Sequence, residues 1–376
     1  MKRTVHYFLF AVAAAVCGTM ISCYPSLANP FGLSASERYG KSNVAYFAGT
    51  VFDAYSGDTI AGADLILGTT SWLSSSVRYS TTSDANGRYS FGTIRDYMLF
   101  SDKYVQCVSV SKAGYAPSGI TPYSSGITNF FYVDLFTNGK TNSYNAYLAR
   151  IQSATVILFN NVYASNYPVY DIAASGGIFW LTIRPTAAEP CLIRCGGGLT
   201  SAATISSNLF TGTYYDRLAT ASCGSDIVLA YADSWGSSSV IRYFNSTTGA
   251  YLSNRTVPYV ITALDYEGGY FWAVVTNNIM QFSPSWELLA VLHSNHGTLK
   301  GVCKTGNYIY CPAENATYYS NTYCILQYNW TYRTLSGKAD VGGFTSISGI
   351  ITNGSGGFYI ADNLPSSSRI FNVTLQ

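Results

Sequence analysis

Charge is scarce in this chain of 376 residues, where Asp, Glu, Lys and Arg make up 11%, well under the usual quarter of a globular protein. The formal net charge is +2, and Lys2 and Arg3 at the amino terminus supply that excess. Elsewhere the two signs are nearly balanced in both halves of the chain, which leaves no basic patch for nucleic acid or acidic lipid. Nucleic acid is therefore excluded as a partner. Long helical apolar patterns are missing after the first two dozen residues. Paired zinc-ligand motifs are missing too: Cys191 and Cys195 have no matching Cys or His pair, and His293 and His296 sit three apart in the loop-like HSNHG. No metal and no cofactor is expected. A Gly-x-Ser-x-Gly elbow is absent, and Asp233, Asp265, Glu267, Glu314 and Asp362 have no spacing that marks two of them as a glycosidase pair. The expectation is a protein that is not an enzyme.

What is present is aromatic and uncharged. Hydrophobic residues reach 48% and Tyr alone numbers 33, among many Ser, Thr, Gly and Asn, a composition that favours β-structure with a full core. The amino terminus carries basic Lys2 and Arg3, then an apolar run from Val5 to Val16, which together make an export signal over residues 1–22. Gly18, Thr19, Ser22 and Pro25 break the run before it reaches the ~20 residues that a membrane span needs. Met20-Ile21-Ser22-Cys23 resembles a bacterial lipobox, with Met20 where that pattern prefers Leu. The resemblance implies lipidation of Cys23 and anchoring in the cell envelope, at the outer membrane or cell surface. Cleavage after Ala28 by ordinary signal peptidase is the alternative. Residues 23–43 are poor in apolar periodicity and read as a tether. With Cys23 lipidated, seven cysteines remain, and Cys311 and Cys324 are the disulfide candidate because they fall on successive strands of one repeat.

In residues 44–150 two alternating runs flank the turn Tyr55-Ser56-Gly57-Asp58, which predicts a hairpin. The stretch SDANG, Ser83 to Gly87, could cradle calcium or turn the chain. An EF loop needs Gly at its sixth position and a carboxylate at the twelfth, whereas Gly87 is fourth counting from Asp84 and no carboxylate stands at the twelfth, so a turn is expected. The segments GTVFDAYSGDTIAGADLIL, TTSDANGRYSF and VSVSKAGY resemble the hallmark stretches of carboxypeptidase regulatory-like domains, which are transthyretin-like β-sandwiches. That resemblance implies a seven-strand-type sandwich acting as a spacer, stabiliser or docking module.

Residues 151–376 repeat themselves. DIAASGGIFWLTI, LATASCGSDIVLAYA, ITALDYEGGYFWAVV, LKGVCKTGNYIYCPA and ISGIITNGSGGFYIAD each run a strand into a Gly turn and out along an aromatic-rich strand. The turn glycines recur at roughly 40–50 residues, the length of a propeller blade. The chain stops after the third strand of the last unit, while Ser153–Asn160 is an unassigned strand before the first. The pattern predicts a five-bladed β-propeller closed by that amino-terminal strand, and it resembles NHL-type propellers.

The loops between second and third strands and the connections between blades emerge on one face of such a ring. That face should receive Tyr214, Tyr215, Trp235, Tyr259, His293, His296, Tyr318 and Tyr319, the candidate ligand-binding residues. Aromatic rings with scattered Asp and Asn suit sugars or peptide segments. The expected function is an envelope lipoprotein with a non-catalytic binding role, recognising a polysaccharide or partner protein. A purely structural envelope component and a glycan-active enzyme are the alternatives.

Overall fold

The computed structural model describes residues 45–70, 78–94, 105–116, 141–143, 145–161, 168–183, 191–196, 202–205, 215–233, 236–294, 296–316, 321–363 and 368–376. Among these residues the chain is all-β, and no helix is long and apolar enough to cross a membrane. The leader, Cys23 and the tether lie outside the described residues.

The amino-terminal region has two sheets. Arg88–Ile94, Ala45–Asp53 and Thr141–Ser143 lie side by side, with Ala146–Leu148 continuing parallel to Val51, Phe52 and Asp53. Arg78–Thr82, Asp64–Thr70 and Val105–Ser111 make the other sheet. Alternation of side chains sends Phe47 and Val51 from one sheet, and Leu65, Leu67 and Val110 from the other, into a single buried core.

The expected hairpin about Tyr55 to Asp58 is formed only over a few residues, where Phe52 bridges Thr59 antiparallel, the Asp53 N–H donates to the Asp58 carbonyl and the Ile60 N–H to the Val51 carbonyl, both at 2.8 Å; Ala45–Asp53 and Asp64–Thr70 themselves belong to different sheets. Asp53 closes the turn on itself: its Oδ1 accepts the N–H of Tyr55 at 2.8 Å, and its carbonyl accepts the N–H of Gly57 at 2.8 Å. The chain then crosses to bury Leu65 and Leu67 in the opposite layer. The SDANG stretch is a turn, as expected. Asp84 Oδ1 accepts the N–H groups of Asn86 and Arg88, both at 2.8 Å, and Gly87 adopts a φ of +73°. A Cβ on Gly87 would stand 2.9 Å from the Val51 carbonyl oxygen, so glycine is required there twice over.

The remainder is a β-propeller of stacked antiparallel meanders. The first sheet runs Val169–Ser175, Ile178–Ile183, Cys191–Cys195, Ala202–Ile205. The second runs Tyr215–Cys223, Asp226–Asp233, Ser239–Asn245, Tyr251–Val257, and the third Ile261–Glu267, Tyr270–Val275, Asn278–Phe282, Leu288–His293. In the fourth, two short innermost pieces, Thr298–Leu299 and Cys303–Thr305, precede Tyr308–Ala316, Asn321–Asn329 and Thr334–Val341. The fifth holds Ile347–Thr352, Phe358–Asp362 and Arg369–Leu375, and its outer strand is Ala154–Asn161, paired antiparallel with Arg369–Leu375.

Period-two alternation makes each sheet apolar on both faces. In the first sheet Ile172, Leu181 and Ile193 pack against Ile351, Ala361 and Ile370 of the fifth. Ala173, Trp180 and Leu192 pack the other way, against Leu218, Leu229 and Phe244 of the second. The innermost strands touch in succession, and Ile347–Thr352 meets Val169–Ser175.

The amino-terminal region is docked on the fourth sheet. Arg150–Gln152 pairs parallel to Gly337, Lys338 and Ala339, and the rings of Tyr55 and Tyr308 stack with centroids 4.9 Å apart. Asn329 Nδ2 donates to the Ala54 carbonyl at 3.1 Å.

The disulfide expected between Cys311 and Cys324 is absent. The register places Cys311 opposite Leu326 and Cys324 opposite Ala313, so the two sulfurs are not directly paired across the strands. The Cys311 thiol is free and fully buried in the core between the third and fourth sheets, and burial pushes its pKa up.

Candidate functional site

The innermost strands leave an opening at each of their ends, and the larger lies where those strands begin. It is a cavity of about 440 Å³ lined by Tyr170, Arg217, Thr262, Lys300 and Ser348 from the strand starts of all five sheets. Thr276, Asn277 and Asn363 join them from turns that lead from second to third strands. These are the two kinds of loop that the sequence places on one face.

The lining is mainly hydroxyl and amide. Asn277 takes a φ of +64° in its tight hairpin turn, a conformation that Asn tolerates better than most residues. Its Nδ2 donates to the Gly297 carbonyl at 2.7 Å, and its Oδ1 accepts the Leu299 N–H at 2.7 Å, which ties the third sheet to the fourth at the rim. Lys300 Nζ sits 2.6 Å from Glu314 Oε2, so its charge is balanced where it enters the mouth. Ser348 Oγ donates to the Val169 carbonyl at 2.7 Å and joins the fifth sheet to the first.

The opposite opening, about 280 Å³, is lined by the strand ends, among them Thr220, Asp265, Glu267, Cys303, Lys304 and Thr352. Its charged groups are occupied. Asp265 accepts the backbone N–H groups of Tyr266 at 2.8 Å and Lys304 at 2.6 Å, yet burial still pushes its carboxyl up to about 6. The Lys304 ammonium lies 3.8 Å from Glu267 Oε2 and over the Trp272 ring, and burial lowers its pKa.

Between the two openings stands Asp171, fully buried, with Tyr170 at the first mouth and Ala173 at the second. Its Oδ1 accepts the Ile172 N–H and its Oδ2 the Thr220 N–H, both at 2.9 Å, and the Leu264 N–H also donates to it. Burial is the largest influence on its carboxyl and holds the pKa well above the usual range. Gly349 is adjacent, where a Cβ would come 2.6 Å from Asp171 Oδ1. The Asp171 carboxyl is thus enclosed by the innermost strands of the first, second, third and fifth sheets, and it lines neither opening.

Few of the residues singled out from sequence reach this mouth. Tyr259 is half-buried against Phe282, ring centroids 5.2 Å apart, in the core between the second and third sheets. His293 is exposed on the outer strand of the third sheet, its Nδ1 2.9 Å from Asn278 Oδ1. His296 lies near the Tyr328 ring, and burial lowers its pKa to about 4. Tyr215 begins the innermost strand of the second sheet, two residues before Arg217. Tyr214, Trp235, Tyr318 and Tyr319 lie outside the described residues. The lining residues that sequence reasoning missed, Arg217, Thr262, Lys300 and Ser348, could have been found as the polar positions at the start of each repeat's first strand. Attention to aromatics passed over them.

No family model matches the chain, and no curated protein matches it. Among solved structures it is similar to Myxococcus xanthus glutaminyl cyclase, at 13% identity over 60% of this chain and 98% of that one, with a TM-score of 0.45. It is also similar to the Neurospora crassa Pan2 WD40 domain, at 8% identity over 58% and 95% of the two chains and a TM-score of 0.35. A third is a bifunctional GH43-CE protein of Bacteroides eggerthii, at 8% identity over 59% and 34% and a TM-score of 0.41. The expectation that the chain is not an enzyme is corrected by this set. A glutaminyl cyclase and a glycoside hydrolase-esterase stand in it beside a WD40 domain, so enzymes are among the chains this one resembles.

Proposed function

We propose that this chain is an exported envelope lipoprotein, anchored through Cys23, that recognises a polysaccharide at the mouth between Tyr170 and Lys300. In this reading the amino-terminal sheets are a carboxypeptidase regulatory-like sandwich that sets the distance between anchor and propeller. The propeller has five blades, with Ala154–Asn161 closing the ring as outer strand of the last. Support for the count comes from the succession of meanders and from the touching of Ile347–Thr352 and Val169–Ser175. Support for closure comes from the pairing of Ala154–Asn161 with Arg369–Leu375, which leaves that sheet no open edge on the Arg369 side.

One observation carries the binding role: the 440 Å³ mouth gathers hydroxyl, amide and cationic groups from all five sheets around one aromatic ring, Tyr170. A sugar presents an apolar face to stack on such a ring and hydroxyls to exchange hydrogen bonds with Thr262, Thr276 and Asn363. The balanced net charge suits a ligand held by hydrogen bonds rather than by long-range attraction.

The test is a binding screen of the soluble form, residues 24 onward, against a panel of envelope and capsular polysaccharides, with Thr298→Trp as the control. Thr298 is exposed at the rim, so the large ring fills the mouth without disturbing the core. A polysaccharide bound by wild type and not by Thr298→Trp supports the reading. Binding that the variant retains, or none across the panel, overturns it. The lipid anchor is checked separately by metabolic labelling with a fatty-acid probe, which should mark wild type and spare Cys23→Ala.

A further inference from the structure

One turn at the larger mouth contains a residue that the turn geometry disfavours. Val275 pairs with Asn278 across the hairpin between the second and third strands of the third sheet, which leaves Thr276 and Asn277 as a two-residue turn. In the other four sheets the corresponding connection is longer. Both turn residues take positive φ, +47° at Thr276 and +64° at Asn277, as a type I′ turn requires. Such turns favour Asn followed by Gly. A β-branched residue suits them poorly, because its Cβ substituents crowd the backbone in the left-handed region. Among the described residues four other than glycine take positive φ, and of these Thr276 alone is β-branched.

The turn is held from both sides. Asn277 Nδ2 donates to the carbonyls of Ser294 at 3.3 Å and Gly297 at 2.7 Å, while its Oδ1 accepts the Leu299 N–H at 2.7 Å. Asn278 Nδ2 donates to the Thr276 carbonyl at 3.3 Å, and Asn278 Oδ1 lies 2.9 Å from His293 Nδ1. Backbone strain persists where the surroundings over-determine it in this way. Gly or Asn at position 276 would make the same turn without the strain, so the backbone gives no reason for threonine. The side chain does, since Thr276 is exposed and lines the 440 Å³ cavity.

We propose that Thr276 is a specificity-determining residue of the mouth, held in a strained conformation so that its hydroxyl meets a hydroxyl of the bound sugar at a fixed position. This rests on the reading of the mouth as a polysaccharide site. The β-branch restricts the rotamers of the side chain, and the tied turn restricts its backbone, so little freedom is lost when the sugar arrives. The arrangement lowers folding stability and raises affinity.

The experiment compares wild type with Thr276→Asn, Thr276→Gly, Thr276→Ser and Thr298→Trp, each as the soluble form from residue 24 onward. Melting temperature is measured without carbohydrate, and affinity by calorimetry against the panel of envelope and capsular polysaccharides. Thr276→Asn relieves the backbone and should melt about 2–4 °C higher than wild type. Thr276→Gly removes the hydroxyl and should bind about fivefold more weakly while remaining folded. Thr276→Asn should bind more weakly too, whereas Thr276→Ser, which keeps the hydroxyl, should recover most of the lost affinity. A melting temperature of Thr276→Asn at or below that of wild type overturns the proposal, because position 276 then bears no strain. Binding by Thr276→Gly equal to wild type, with Thr298→Trp not binding, also overturns it and leaves the mouth as the polysaccharide site. Binding that Thr298→Trp retains, or none across the panel, removes the reading of the mouth and this proposal with it.

Discussion

Asp171, on the innermost strand of the first sheet, accepts the backbone N–H of Thr220 on the innermost strand of the second at 2.9 Å. The same relation recurs two sheets on, where Asp265 of the third sheet accepts the Lys304 N–H of the fourth at 2.6 Å. In each case the other carboxylate oxygen accepts the N–H of the next residue along its own strand. A carboxylate therefore clasps neighbouring sheets at the channel wall, where innermost strands diverge and backbone groups would otherwise be left without partners.

Removing one clasp should loosen the ring. Asp171→Ala orphans at least two buried N–H groups, each costing about 1–3 kcal/mol. A loss of roughly 2–6 kcal/mol is expected in urea unfolding of the repeat region. A change below about 0.5 kcal/mol would show that water replaces the carboxylate and that the clasp is not structural.

His296 should make the protein sensitive to acid. Its pKa in the folded chain is about 4, against an ordinary value near 6.5, so between those pH values the unfolded state binds more protons. Its contribution is whole above pH 6.5 and is lost as pH falls toward 4, by at most roughly 3 kcal/mol. Asp265 acts in the opposite sense, because a carboxyl raised to about 6 favours the folded state as pH falls through that value. Comparison of wild type with His296→Phe cancels the Asp265 contribution, and the variant should lose less stability between pH 6.5 and 4. Parallel curves would contradict the assignment.

The two ends of the repeat region meet in one sheet, where Val156 stands opposite Val373 and Leu158 opposite Phe371. Deleting residues 153–160, or stopping the chain at Ser368, should therefore do similar damage. Limited proteolysis should destroy the protected fragment from about residue 151 onward in both truncations and leave one near residues 44–150. A Ser368 truncation as resistant as wild type would count against closure of the ring.

Much of this was legible in the sequence because period-two alternation and Gly turns are strong local signals. DIAASGGIFWLTI became Val169–Ser175 and Ile178–Ile183, and the unassigned Ser153–Asn160 found its partner in the last strand. Two things were not legible. The Tyr55–Asp58 turn has the composition of a hairpin, but whether a turn joins paired strands or passes between sheets depends on the burial of residues far along the chain, such as Val110 and Leu148. The mouth is assembled from one or two polar residues per repeat, Thr262 here and Ser348 there, which converge only when the ring forms. Tyr259 drew attention as an aromatic at a strand end, yet its ring is needed in the core.

The junction of the two regions gives a fourth prediction. Gly57 has a φ of +81°, and a Cβ there would run into the hydroxyl of Tyr332 on the fourth sheet. That hydroxyl ends a side chain that can swing, so the main cost of Gly57→Ala is the left-handed backbone, about 1–2 kcal/mol. The substitution should weaken docking of Tyr55 on Tyr308 and separate the melting of the two regions in calorimetry. A single unchanged transition would show that the junction tolerates the methyl group.

The binding reading is tested most directly by hydrogen–deuterium exchange of the soluble protein with and without the polysaccharide that the screen selects. The account predicts slower exchange at residues 217–218, 260–262, 276–277, 298–300 and 346–348, which line the larger mouth, and no change at the Asp265 and Lys304 end of the channel. Protection confined to that other end, or to the amino-terminal sheets, would contradict it.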